Sequence, residues 1–220
     1  MLYKGNIYYT SARDNDGEYL GNSLHRIDID GRNNIRLNEN LYELFTIFED
    51  NIYALTRDQI IINQKAEKLD LNGRKSDDFN GLSFSRAFSI FTGGRKIYLY
   101  QVDGIGSLSL DGAGFVRLSG NTAPKTNPAF IDRKIVWSTR KWRIARANSP
   151  PVPGMGDFYG NIEYLDLSDN SIKVLYDEAP AHLERVINDV IYFLRFNEQS
   201  SSVDPYQMNG DGSNIKKRPF

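Results

Sequence analysis

The chain has 220 residues, 40% of them hydrophobic and 12% aromatic, with 27 Lys and Arg against 28 Asp and Glu and a net charge of −1. That apolar content is enough to bury a core and excludes disorder, while the balanced charge gives no field that would draw nucleic acid or an anionic membrane. The absence of Cys excludes disulfides, thiolate metal sites and a cysteine nucleophile, and no apolar run approaches the ~20 residues of a spanning helix, so no membrane insertion is expected.

In chain order, Met1 to Lys4 runs straight into Gly5-Asn6-Ile7-Tyr8-Tyr9, a turn residue followed by Ile and aromatics. The same signal returns at Asp50-Asn51-Ile52-Tyr53, Arg95-Lys96-Ile97-Tyr98-Leu99-Tyr100, Arg133-Lys134-Ile135-Val136-Trp137 and Asp189-Val190-Ile191-Tyr192-Phe193. The anchoring isoleucines are 45, 45, 38 and 56 residues apart, spacings that bracket one four-stranded propeller blade. Behind each anchor comes a run of alternating apolar residues ending in a polar turn: Leu24 to Gly31, Leu69 to Gly73, Leu108 to Gly112, Ile162 to Asn170 and Tyr206 to Gly212. Period two with Asp-Gly or Asn-Gly predicts a hairpin with a two-residue turn at positive φ. Further short apolar segments follow the turns (Ile35 to Leu37, Phe115 to Leu118, Ile172 to Leu175) and precede the anchors (Leu44 to Phe48, Ala87 to Phe91, Ala129 to Ile131, Leu183 to Ile187).

Four strands per repeat, labelled A to D from inside outwards, predict an all-β protein: a β-propeller of about five four-stranded blades in one domain spanning residues 1–220. The blades fall near 1–40, 41–80, 81–120, 121–178 and 179–220. A unit this small cannot bury both faces alone, whereas stacked blades cover one another.

The residues that carry these strands resemble a known family. An Ile-aromatic strand followed by Leu-x-x-Ile-Asp-x-Asp-Gly is similar to the YWTD-type propellers of lipoprotein-receptor relatives. The naming motif falls on Tyr8-Tyr9-Thr10-Ser11 and Val136-Trp137-Ser138-Thr139, with Ile144 to Asn148 similar to the next strand. No copy keeps the family's Asp at the fourth position, and the ending Tyr206-Gln207-Met208-Asn209-Gly210-Asp211-Gly212-Ser213-Asn214-Ile215-Lys216-Lys217 resembles bacterial TolB-like propeller domains of unknown function. The resemblance implies a binding or scaffold module, often extracytoplasmic.

No motif predicts catalysis, so the chain is read as not an enzyme. Only His25 and His182 could serve a nucleophilic triad as base; His25 reads as an ordinary strand position, and His182 lies near the start of an A strand. Asp14-Asn15-Asp16-Gly17 and Asp28-Ile29-Asp30-Gly31 start like calcium loops but lack the later bidentate acid, so turn chemistry explains them and no metal or cofactor is expected. Glycoside hydrolysis is the alternative, and Glu43 and Glu184 are the acids nearest the starts of A strands. The basic and aromatic run Arg133 to Arg146 reads as a solvated blade edge around a buried Trp137, and no nucleic-acid partner is expected.

Binding is expected on one face. The C–D turns are uniformly short, whereas long connections join B to C: Arg13 to Ser23, Arg57 to Gln64, Trp142 to Gly160 and Asn197 to Asp204. Loops tolerate elaboration where the scaffold does not need them. Trp142, Asp157, Phe158 and Tyr159, with Tyr42, Arg57, Arg86 and His182 from the same face, are the candidate contacts for a protein or carbohydrate ligand.

Overall fold

A computed structural model describes residues 1–13, 19–56, 64–81, 83–84, 87–101, 104–119, 125–139, 160–197, 200 and 202–219. All its regular elements are strands: β1 (Leu2–Tyr3), β2 (Asn6–Arg13), β3 (Tyr19–Asp28), β4 (Ile35–Phe48), β5 (Asn51–Thr56), β6 (Gln64–Asp70), β7 (Ser83–Phe84), β8 (Ala87–Gly93), β9 (Lys96–Gln101), β10 (Gly104–Ser109), β11 (Val116–Ser119), β12 (Lys125–Ile131), β13 (Lys134–Thr139), β14 (Gly160–Asp166), β15 (Ile172–Ile187), β16 (Val190–Asn197), β17 (Ser202–Asn209) and β18 (Lys216–Lys217). The chain divides into two compact units, Met1–Leu118 and Ser119–Phe220.

The first unit holds three repeats and the second holds two. Every anchoring isoleucine lies on the B strand of its repeat, in β2, β5, β9, β13 and β16, each paired antiparallel with its neighbours. Two long strands serve two repeats each. The Ile35 half of β4 pairs with β3 as the outermost strand of the first repeat, and its Tyr42 half pairs with β5 as the innermost strand of the second. β15 does the same between the fourth and fifth repeats. In the second repeat the outermost strand is broken: β6 meets β7 only at Gln64 and Lys65, and a single bridge joins Leu69 to Lys75.

Alternation along the B strands decides the packing, because successive side chains point to opposite faces. Ile52 and Ala54 join Tyr8 and Leu24 of the repeat before them, whereas Tyr53 and Leu55 join Ile97, Leu99 and Leu108 of the repeat after them. In the second unit Ile191, Phe193 and Met208 close on Val136 and Ile162. B strands are therefore apolar on both faces. Burying one such side chain is worth roughly 1.5–3 kcal/mol. Ile52, Ile97, Ile135 and Ile191 have no exposed surface, and Trp137 is likewise buried, as its place on the strand predicts; Ile7 alone of the anchors is 36% exposed.

The two-residue turns with positive φ lie elsewhere than expected. They join A to B, at Lys4-Gly5, Glu49-Asp50, Gly94-Arg95, Asp132-Arg133 and Asn188-Asp189, where both central residues have positive φ. That is the type I′ geometry, whose twist matches the flanking strands. The C–D turns are one residue longer. Gly31 donates to the Asp28 carbonyl at 2.9 Å and Asp28 to the Arg32 carbonyl at 2.9 Å, and only Gly31 of the loop takes positive φ. Gly73, Gly112 and Gly212 close equivalent loops. Their Asp residues accept a backbone N–H two residues on, as Asp30 does from Arg32 and Asp111 from Ala113, so the side chain helps to fold the turn.

The B–C connections also differ from expectation. Arg13 pairs with Tyr19 and Asn197 with Ser202, so much of the segments Arg13 to Ser23 and Asn197 to Asp204 is strand. In those repeats part of the extra length goes into the ladder.

Candidate functional site

The innermost strands share a feature that the sequence pattern conceals. In each of the four A–B ladders from the second repeat onward, the A strand carries one extra residue: Glu43 between Tyr42 and Leu44, Phe88 between Ala87 and Ser89, one residue between Thr126 and Ala129, and Glu184 between Leu183 and Arg185. Such bulges re-aim a side chain and occur often beside functional sites. The residue before the bulge turns inward: Tyr42, Ala87 and Leu183 are at most 2% exposed, whereas Phe88 is 49% exposed.

A bulge also frees a backbone N–H, which must find another partner. In the first unit the Ala87 amide donates to Oε1 of buried Gln64 at 2.7 Å, and Gln64 Nε2 donates to Glu43 Oε2 at 2.6 Å. One side chain thus fixes two neighbouring bulges. In the second unit the Leu183 amide donates to Ser138 Oγ at 2.9 Å. Glu184 there meets Arg218 at 3.2 Å, and the Arg218 and Arg185 guanidinium groups stand 5.0 and 5.5 Å from the centre of the Tyr192 ring.

Of the eight expected contacts, Arg57, Arg86, Trp142, Asp157, Phe158 and Tyr159 lie outside the described residues. Tyr42 lies in the interior with no exposed surface. Its hydroxyl donates to Glu67 Oε2 at 3.0 Å and accepts from Asn38 and Asn40 at 3.1 and 3.3 Å. Burial pushes the phenol up to about 12, with the Glu67 charge adding to the rise. The extra residue at Glu43 sets Tyr42 on the same face as Phe45 and Ile47, in the core shared with the first repeat, rather than on the face of Leu44 and Phe48. His182 is half-buried on the innermost part of β15, in the other unit.

His25 is a buried strand residue. Its Nε2 lies 2.8 Å from Ser23 Oγ and its ring stacks on Tyr9 at 5.3 Å. Burial lowers its pKa, and the charge of Arg36 lowers it further. Ser23 has no exposed surface, so its hydroxyl is not presented to solvent. Gln64, Phe88 and Ser138 were missed in the sequence because only a bulge gives them a role, and a bulge leaves period-two patterning intact on either side.

Among the described residues, no three His, Asp or Glu side chains gather as a metal site. No protein-family model matches the chain, and no curated protein matches it. Solved structures do. The β-propeller domain of the Trilobed protease from Pyrococcus furiosus is similar over 98% of this chain and 69% of its own, with a TM-score of 0.61 and 12% identity. The acylaminoacyl peptidase of Pyrococcus horikoshii is similar over 97% of this chain and 36% of its own, at 0.59 and 13%. A nidogen/laminin complex contains a chain similar over 97% of this one and 78% of its own, at 0.56 and 11%. With its strand-only repeats and these neighbours, the chain has the all-β fold of a β-propeller.

Proposed function

We propose that this chain is a non-catalytic binding propeller that holds a protein or carbohydrate at the blade ends carrying the inner-strand bulges and the B–C connections. One observation carries the reading: in every repeat the opposite ends of the strands are closed by tight turns of nearly constant length, while the bulges of the A strands lie away from those turns, opposite the far end of the B strand in the second and third repeats and midway along it in the fourth and fifth. Scaffold-fixing turns leave little room for recognition, whereas re-aimed side chains and variable connections supply it. The residues that resemble YWTD-type propellers, at positions 8–11 and 136–139, and the ending that resembles bacterial TolB-like propellers, at 206–217, support the same class.

Glycoside hydrolysis would need two carboxyl groups about 5–10 Å apart. Within each unit only one described bulge is acidic, Glu43 in the first and Glu184 in the second, which favours binding. The test begins with capture of the ligand from a glycan array or host extract. Alanine at Trp142, Phe158 and Tyr159 is then expected to weaken binding more than alanine at Arg32, Arg74 or Lys173 beside the C–D turns. Equal losses on the two sets, or losses only at the turns, would refute the placement.

A further inference from the structure

We infer that Glu43, Gln64 and Phe88 form a subsite for one pyranose ring of a carbohydrate; the inference rests on the binding reading above and narrows its ligand. All three belong to the first unit, where the inner half of β4 and strand β8 run side by side. Glu43 and Phe88 occupy equivalent bulges on those strands. Gln64, 3% exposed, spans the two, with one end on Glu43 at 2.6 Å and the other on the Ala87 amide beside Phe88 at 2.7 Å. A buried amide committed at both ends holds the carboxylate and the base of the aromatic residue in fixed relation.

Phe88 is the part that calls for a ligand. It is 49% exposed on an innermost strand, and its ring stands on Tyr100 at 5.6 Å and 45°, so the exposed ring has a backing. A pyranose presents an apolar C–H face and a rim of hydroxyl groups. The first suits the face of an aromatic ring. The second suits a carboxylate, which has about four lone-pair sites and accepts O–H donors strongly. Pre-set geometry of this kind reduces the ordering cost that weakens binding at exposed sites. A cationic side chain would also meet an aromatic ring and a carboxylate, and a blocked lysine peptide is its probe in the experiment.

The experiment uses the intact chain and four probes, maltohexaose, cellohexaose, xylohexaose and chitohexaose, with binding followed by saturation-transfer NMR and calorimetry. At least one probe is expected to bind. Phe88→Ala should weaken it tenfold or more, Glu43→Gln several-fold, and Phe88→Tyr little. Val116→Ala, an exposed apolar position on an outermost strand, should leave it unchanged. Melting temperatures near that of the parent chain show that the variants are folded.

Failure of all four probes overturns the inference, as does binding that ignores both Phe88 and Glu43. If Trp142→Ala or Phe158→Ala weakens the probe while Phe88→Ala does not, the subsite falls and the binding face stands. If only Arg32→Ala and Arg74→Ala weaken it, both fall. Binding of a blocked lysine peptide, lost in Phe88→Ala, with no sugar bound, assigns the site to cations and overturns the carbohydrate assignment.

Discussion

Gly31, Gly73 and Gly112 hold nearly the same backbone angle, with φ of 83°, 82° and 80°, in different surroundings. A Cβ built on Gly31 meets nothing within 4 Å, whereas on Gly73 it would lie 2.5 Å from the Leu37 carbonyl oxygen and 2.6 Å from Leu37 Cβ. The left-handed angle alone costs an L-residue about 1–2 kcal/mol, so Gly31→Ala should lower stability by that amount. Gly73→Ala should lose more, because backbone of the outermost strand of the first repeat would have to move. Denaturant unfolding of the two variants checks this, and equal losses would remove the steric part of the argument. The positive φ was legible in the sequence, since Asp-Gly and Asn-Gly mark such turns. Its location within the loop was not, because the same dipeptides serve two-residue and three-residue loops alike. Nor could a local sequence reveal the crowding at Gly73, which comes from a residue 36 positions away.

At the scale of strands, the inner-strand bulges and the join between the first two repeats depend on polar side chains at positions that patterning assigns to the core. Glu67 on β6 is buried, and its carboxylate accepts from Tyr42, from Asn40 at 3.2 Å and from Lys75 at 2.8 Å. Burial alone would raise the Glu67 pKa, but the hydrogen bonds from Lys75 and Tyr42 outweigh it and hold the carboxyl below its ordinary value of 4.5. The unfolded chain therefore binds the proton first as pH falls. The stability that Glu67 contributes is complete above the unfolded value and is lost as pH drops through the lower folded value. Tyr42→Phe removes a hydrogen bond to an ionised group, worth about 1.5–3 kcal/mol, but only while that group is ionised. Unfolding measured at pH 7 and at successively lower pH should show a loss that is largest at pH 7 and shrinks as Glu67 in the folded chain takes up its proton; a loss constant down to acid pH where the parent chain has itself lost the Glu67 contribution would mean that the Tyr42 ring, not its hydroxyl, matters. The strands themselves were legible, because alternation and turn chemistry agree along them. Tyr42 was expected at the start of a strand, beside the connections, but β4 runs unbroken from Ile35 to Phe48 and carries it in the interior.

For the molecule as a whole, the repeat was the legible part: five isoleucines set the B strands, and the fold follows from stacking what lies around them. Broken symmetry was harder to read. In the second repeat residues 75–79 stand where an outermost strand would run, with Ser76 donating to the Lys68 carbonyl at 2.9 Å and Phe79 buried in the core shared with the third repeat. A large apolar residue there substitutes for a ladder. This architecture predicts an order of hydrogen-exchange protection, since exchange follows local burial and backbone pairing. In β5, β9, β13 and β16 the backbone has a partner strand on each side, and the residues at and beyond each anchor are largely buried. By contrast β7, β11 and β18 run only 2, 4 and 2 residues, and each ends its sheet. Their amides can open without disturbing an inter-repeat core. In deuterium exchange at neutral pH the amides of residues 52–55, 97–100, 135–138 and 191–193 should therefore exchange last, and those of residues 83–84, 116–118 and 216–217 among the first. Protection of β11 or β18 equal to that of β9 would show that the outermost strands are covered by something the fold does not supply.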